Sequence, residues 1–235
     1  MEPLFVAKDS SSAPDHVIDQ IKELLLAGKL RPGDRLPSEF ELASGLGVSR
    51  GSIRAAMKAL EVCGVVDIRR GDGTYICDHV NTKRFNPLVF SLALLGPDIA
   101  QLAKFREKIE LDILELIIKD PELTQAILPK LEANLEELSA LQARKVQAVE
   151  TAANDRAFHE LLAAGCGNLI FETIYSYILD FFFPLIVDSH QGQIQGDAAE
   201  VIHKDIYHAV SQGSYSMAKD AIVASVQYWY RSIQK

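Results

Sequence analysis

Between Val65 and Cys77 the spacing of apolar residues changes from a helical repeat to the alternation of strands, and it does so nowhere else in the 235-residue chain. Val65-Val66-Asp67-Ile68-Arg69 and Thr74-Tyr75-Ile76-Cys77 are rich in β-branched and aromatic residues. Arg70-Gly71-Asp72-Gly73 joins them as a short glycine-containing hairpin connection. One hairpin set among helices restricts the chain to a mainly α architecture with a small two-stranded appendage.

The residues before the hairpin carry three helix signals. Val17, Ile18, Ile21, Leu24 and Leu25 fall on one face, and Gly28 ends that run. After a turn at Arg31-Pro32-Gly33-Asp34, Ser38 and Glu41 form a capping box that opens a second helix containing Phe40, Leu42, Ala43 and Leu46. Gly45 and Gly47 punctuate a tight turn, Ser49 caps a third helix running to about Cys63, and Gly64 stops it. The order is helix, helix, turn, helix, two-stranded wing. Residues 1–78 are therefore expected to form a winged helix-turn-helix, with 1–13 a polar arm.

Residues 79–86, His79 to Asn86, are polar and aperiodic and read as a linker. Residues 87–235 are expected to form an all-α helical-bundle domain for ligand binding and dimerisation. Its helices fall near 87–95, 98–119, 122–143, 146–164, 168–188, 198–211 and 214–233. Pro129 and Pro184 fall inside helical patterns and predict kinks or interruptions. There is no internal repeat.

Charge and cysteine content narrow the function classes. The net charge of -8 excludes a protein that is basic throughout. Residues 50–71 nevertheless concentrate Arg50, Arg54, Lys58, Arg69 and Arg70 against only Glu61 and Asp67. An acidic protein with one basic stripe can still bind nucleic acid there, while its acidic remainder discourages indiscriminate contact. Cys63, Cys77 and Cys166 include no C-x-x-C pair, which speaks against a zinc ribbon or disulfide framework and for reduced thiols. The N-terminus lacks the pattern of a signal peptide. The most apolar run, Tyr177–Val187, contains Asp180 and Pro184 and falls short of the ~18–20 residues of a membrane span. A cytoplasmic protein without membrane contact is expected.

Arg50, Arg54 and Lys58 follow one another at four-residue steps, drifting only ~40° per step, so they share one stripe of the third helix. Ile53, Met57 and Leu60 lie on the adjacent arc. A helix that packs on one side and reaches out with arginines on the other suits a major groove, where a guanidinium grips guanine or phosphate bidentately. The stripe taken alone fits a solvated basic face equally well.

Residues 31–76 resemble the winged helix-turn-helix of the GntR family of bacterial regulators. The resemblance is carried by Arg31-Pro32-Gly33-Asp34-Arg35-Leu36-Pro37-Ser38-Glu39, Leu42-Ala43, Gly47-Val48-Ser49-Arg50, Ile53-Arg54-Ala55-Ala56, Leu60, Gly64 and Gly71-Asp72-Gly73-Thr74. It implies DNA contacts from Arg35, Ser38, Glu39, Ser49, Arg50, Arg54 and Arg70, with Gly71 and Gly73 letting the wing tip approach the minor groove. Gly51, where the family often has threonine, and Ala55-Ala56, in place of Glu-Ala, depart from the pattern.

In the helical half, Asp155 and His159 stand four residues apart on one helix, and His203 lies on a later one. A carboxylate and imidazoles from two helices can hold Zn²⁺ or a similar divalent ion, although an Asp–His pair at this spacing is also a common structural pair. This half resembles the helical ligand-binding (FCD) domain of the FadR subfamily. The matches are Phe105-Arg106-Glu107-Lys108-Ile109-Glu110, Asn154-Asp155-Arg156-Ala157-Phe158-His159, and His203 with Ile206 and Ala209-Val210. The resemblance implies a metal held by one aspartate and three histidines. Asp155, His159 and His203 fill three positions, and Ser225 stands where the last histidine is expected. It also implies that Arg106 faces the pocket and holds a small organic acid there with Asp155, His159 and His203. The alternative for Arg106 is a surface pair with Glu110 at i, i+4. Tyr175, Tyr207 and Trp229 are candidate lining residues or plain core. His16, His79, His190 and His208 have no sequence partner and are given no role.

The expected activity is that of a DNA-binding transcriptional regulator, a homodimeric repressor controlled by a small organic acid, with no catalytic residues. A metal-dependent enzyme with a DNA-binding appendage and a metal-sensing regulator without organic effector remain alternatives.

Overall fold

A computed structural model describes residues 12–78, 87–144, 146–190 and 195–233. The expected linker with His79, and nearly all of the expected N-terminal arm, lie outside the described residues. The chain divides into two units, Met1–Pro87 and Leu88–Lys235. Its described residues form a mostly helical protein with one two-stranded antiparallel wing.

In the first unit, α1 (Ala13–Leu26) is capped by Ser12. Helix α2 (Glu39–Leu46) opens on the expected capping box: Ser38 Oγ accepts from the Glu41 amide, and the Glu41 carboxylate accepts from the Ser38 amide at 2.8 Å. The helix closes at Gly47, whose φ of 65° suits glycine best. Two residues later Ser49 accepts from the Ser52 amide at 3.0 Å and starts α3 (Arg50–Val62). These caps satisfy orphan amides on both sides of a tight turn, so local chemistry sets the α2–α3 corner. Val17, Ile21, Leu24, Leu42, Leu46, Ile53, Met57 and Leu60 bury the shared core.

Strands β1 (Val66–Arg69) and β2 (Gly73–Ile76) pair antiparallel, with Val66 opposite Ile76 and Arg69 opposite Gly73. The segment before α2 joins them. The Leu36 amide donates to the Thr74 carbonyl and the Ile76 amide to the Asp34 carbonyl, both at 2.8 Å. This third row ties the Arg31–Pro37 turn to the wing and buries Leu36 with Ile76.

The second unit contains α4 (Pro87–Leu95), α5 (Ile99–Lys119), α6 (Pro121–Arg144), α7 (Ala148–Gly165), α8 (Leu169–Ser189), α9 (Gln195–Ser211) and α10 (Tyr215–Ile233). Helix α10 packs on α5, α8 and α9, and α7 packs between α6 and α8. Ile113, Leu114, Ile117, Leu131, Phe158, Leu162, Tyr175, Phe182, Ile206 and Ile222 form its core.

Of the kinks or interruptions expected at Pro129 and Pro184, interruption does not occur: each proline lies within one continuous helix. Both prolines are on the solvent side, where water can take the carbonyl that each deprives of its donor. Buried neighbours, Ile127 and Leu131 around one and Phe182 and Ile186 around the other, hold the helices on the core side. The apolar run also extends beyond Tyr177–Val187: Leu169–Asp188 is long and apolar enough, by length and composition, to cross a membrane. Tyr175, Ile178, Leu179, Phe182 and Ile186 of this segment are buried in the helical core, while Leu169, Ile170 and Ile174 are exposed.

Candidate functional site

The first unit presents its polar groups around α3. Ile53, Ala56, Met57 and Leu60 are buried, which turns Arg50 and Arg54 outward with side chains 60% and 62% exposed. Glu39, the first residue of α2, pairs with both: its carboxylate lies 2.8 Å from Arg54 Nε and 3.9 Å from Arg50. The Ser38 and Ser49 hydroxyls are engaged as helix caps on the two neighbouring helix starts. Lys58 pairs with Glu61 at 2.6 Å. Arg70 and Gly71 are exposed at the turn of the wing. Arg35 lies along the wing, donating to the Asp72 carbonyl, with its guanidinium 5.9 Å from the Tyr75 ring centroid. A Cβ on Gly73 would come within 2.7 Å of Arg35 Nε, and the Gly73 φ of 153° is itself unfavourable for other residues. Gly73 therefore serves the close approach of Arg35 to the hairpin.

In the second unit, a buried polar cluster lies within the helices. Helix α7 supplies Asp155 and His159, α9 supplies His203, and α5 supplies Arg106 and Glu110. One ligand atom from each of Asp155, His159 and His203 lies within 4.8 Å of the others. His159 Nε2 is 3.7 Å from Asp155 Oδ1, and His203 Nε2 is 3.7 Å from Oδ2. The spacing of four residues aligns Asp155 and His159 on one helix face. Reciprocal side-chain to backbone hydrogen bonds between Asn134 and Asn154, each 3.2 Å, lock α7 against α6 beside that aspartate. Phe158 stacks on the His203 ring at 4.0 Å and holds it in place.

Arg106 and Glu110 do form the i, i+4 pair, at 2.8 Å, but it is buried rather than on the surface. The guanidinium also donates to His159 Nε2 at 2.8 Å and lies 5.5 Å from the Trp229 ring. Tyr175 donates to the same Glu110 oxygen that pairs with Arg106, so it braces the back of the cluster instead of lining the cavity. His159 Nδ1 lies 3.2 Å from Glu110 Oε1, out of line for a full hydrogen bond.

Burial opposes ionisation of Asp155, yet the His190 hydrogen bond and the neighbouring His203 and His159 rings outweigh it and hold the carboxyl well below its usual range. Burial opposes ionisation of Glu110 too, and the Arg106 charge overcomes it. Burial lowers His159 and pushes His203 down to about 3, so both rings are neutral near neutral pH. Asp155 and Glu110 thus bring two negative charges and Arg106 one positive charge into a site otherwise built from imidazoles. Excess negative charge, neutral imidazole donors and a buried carboxylate suit a divalent cation. Among the described residues, Glu110 Oε2 and His203 Nδ1 are buried without a hydrogen-bond partner, which also suits a site that orders further groups. The donor set fits the metal implied by the family resemblance.

A cavity of about 20 Å³ opens on this cluster, lined by Arg106, Asp155, His203, Ser225 and Trp229 among others. Tyr207 is partly buried against the core instead.

Comparison with known proteins identifies the assembly. Residues 14–76 match the bacterial regulatory proteins of the gntR family, and residues 101–227 match the FCD domain. The chain belongs to the GntR family. The FCD domain places it in the FadR-like subfamily. The regulator LutR of Bacillus subtilis is 28% identical over 84% of this chain and 90% of its own length. YcbG of the same organism, an uncharacterized HTH-type regulator, is 29% identical over 83% of this chain and 79% of its own. A solved Streptococcus agalactiae GntR structure superposes with a TM-score of 0.66 at 25% identity, covering 93% of this chain and 99% of that one.

This GntR protein is a transcriptional regulator with a DNA-binding helix-turn-helix and an FCD ligand-binding domain. Its sequence concealed one feature of the cluster: His190, at the C-terminal cap of α8, directs Nε2 to Asp155 Oδ2 at 3.2 Å. No spacing signal links residues 35 positions apart on different helices, and only packing brings them together. His16 and His208 lie elsewhere, on α1 and late in α9.

Proposed function

We propose that this chain is a cytoplasmic, homodimeric repressor whose operator affinity is set by a small organic acid bound beside a divalent metal in the FCD domain. The reading rests on one observation above all: Asp155 and His203 line a cavity with Arg106, and the buried His159 brings a ligand atom within 4.8 Å of both.

Arg50 and Arg54 would enter the major groove from α3, with Glu39 setting the direction of both. Arg35, Ser38, Ser49 and Arg70 would contact the DNA backbone or nearby bases, and Gly71 and Gly73 would admit the wing tip to the minor groove. A two-fold operator would present one half-site to each protomer.

Asp155, His159 and His203 would hold the metal, which supplies positive charge for an effector carboxylate. Arg106 would supply the planar second grip. A cavity of about 20 Å³ readily takes an ion or a water molecule and is tight for an organic acid. Effector entry would then shift the helices that line it, and such shifts can change operator affinity. The same small volume favours a second reading, a regulator that senses the metal alone. Catalysis finds little support in the cluster, because Glu110, beside the histidines, is ion-paired with Arg106 and accepts from Tyr175 through Oε1, which weakens it as a base.

A titration of operator DNA with the metal-loaded protein, with and without organic acids and with and without chelator, tests this reading. Release of DNA only when acid and metal are both present supports it. Release by metal alone selects the second reading. Operator affinity unchanged by either ligand overturns both.

A further inference from the structure

We infer that His190, from the C-terminal end of α8, is a fourth protein ligand of the metal site, in place of Ser225 on α10. The inference rests on reading Asp155, His159 and His203 as that site. His190 approaches the aspartate more closely than either of the other histidines: its Nε2 is 3.2 Å from Asp155 Oδ2, against 3.7 Å for His203 Nε2 to the same oxygen. The ring is buried and anchored beside the cluster, although its nitrogens do not come within 4.8 Å of every donor atom of Asp155, His159 and His203, so binding requires the ring to close on the ion. The His190 side chain is only 4% exposed, and its backbone amide is anchored to the Ile186 and Val187 carbonyls at 3.2 and 3.1 Å. Among the described residues its Nδ1 is buried with no hydrogen-bond partner, so none of them commits the ring to one tautomer.

His190 and Ser225 both line the cavity. Of the two, only the imidazole offers a neutral nitrogen lone pair to a borderline cation; a serine hydroxyl does so poorly near neutral pH. With His190 included, one carboxylate and three imidazoles come from three helices, α7, α8 and α9. Closed four-coordinate sites use this number of protein ligands. The site would also clamp the end of α8 to α7 and α9, so metal loading would order the part of the helical unit around the cavity.

A simpler role for His190 is a hydrogen bond that orients Asp155 without touching the metal. The two roles separate in variants. Zinc affinity is measured by competition with a chromophoric chelator, and the Co²⁺-substituted protein is followed by its visible absorption. Wild type, His190→Ala, His190→Gln, Ser225→Ala and the double variant His190→Ala/Ser225→His are compared, with helical circular dichroism of the metal-free proteins as the folding control. Glutamine keeps a hydrogen-bond donor for Asp155 but lacks an imidazole. The expected result is that both His190 variants lose more affinity than the about 10–100-fold that removal of an outer partner costs. Their Co²⁺ spectra change as well, Ser225→Ala stays within about tenfold of wild type, and the double variant recovers affinity. Wild-type affinity and spectrum in His190→Gln would leave the metal reading standing and remove His190 from the ligand set. No metal uptake by wild type would overturn the metal reading itself.

Discussion

Arg106 donates a hydrogen bond to His159 Nε2 at 2.8 Å, the same ring nitrogen that faces Asp155 and that a metal would need. An ion and this guanidinium compete for one lone pair. Metal loading would therefore free an N–H group of a buried arginine whose Nε is paired with Glu110.

Metal should accordingly raise affinity for organic acids. Trp229 is the chain's sole tryptophan and lies against Arg106, so its fluorescence reports directly on the site. Titration of metal-loaded protein with small carboxylic acids should show binding at least about tenfold tighter than in chelator-treated protein, a coupling of ~1.4 kcal/mol. Arg106→Met should abolish the difference. Equal affinities with and without metal would contradict the exchange.

Breaking the buried pair from the acidic side should be costly. Glu110→Gln leaves the Arg106 charge buried without its partner, a change worth about 3–5 kcal/mol. Chemical denaturation followed by circular dichroism should show the helical unit destabilised by that order. The double change Arg106→Met with Glu110→Leu should recover much of the stability while leaving no acid response, because it removes both charges.

Glu39 links the starts of α2 and α3 electrostatically. Glu39→Gln removes an anion that repels DNA phosphates and releases Arg54 from its 2.8 Å contact. Nonspecific DNA affinity should rise. Discrimination for the operator should fall by up to about fivefold, since exposed pairs are worth ~0.2–1 kcal/mol. Arg54→Ala should cost more discrimination, ~1–3 kcal/mol if it reads a base, and each lost phosphate contact should flatten the log–log salt slope by ~0.9. Competition binding against random duplex at several salt concentrations measures both.

Acid should destabilise the metal-free helical unit. His203 is pushed from its ordinary 6.5 to about 3 in the folded chain, so below 6.5 the unfolded chain takes up a proton that the folded one refuses. Its contribution is complete above 6.5 and is lost progressively as pH falls toward 3, by roughly 3 kcal/mol at ~pH 4. Asp155, held below its ordinary 3.8, adds a loss only in a lower window, beneath that value. Melting curves from ~pH 7 to ~pH 4 should fall in wild type and fall less in His203→Gln. A flat profile in wild type would show that His203 titrates normally.

Local order was written along the chain because it depends on near neighbours. Ser38 with Glu41, Ser49 with Ser52, Gly47 and the hairpin glycines determined the helix-turn-helix and its wing, since caps and turns are satisfied within a few residues. The four-residue spacing of Asp155 and His159 likewise determined that they share a face. Tertiary structure alone decided what those faces meet. It set Arg35 against Gly73, buried Arg106 and Glu110 together as a pair, and brought His190 to Asp155. These contacts join segments with no shared period, and their energies come from burial and desolvation, which exist only once the helices have packed.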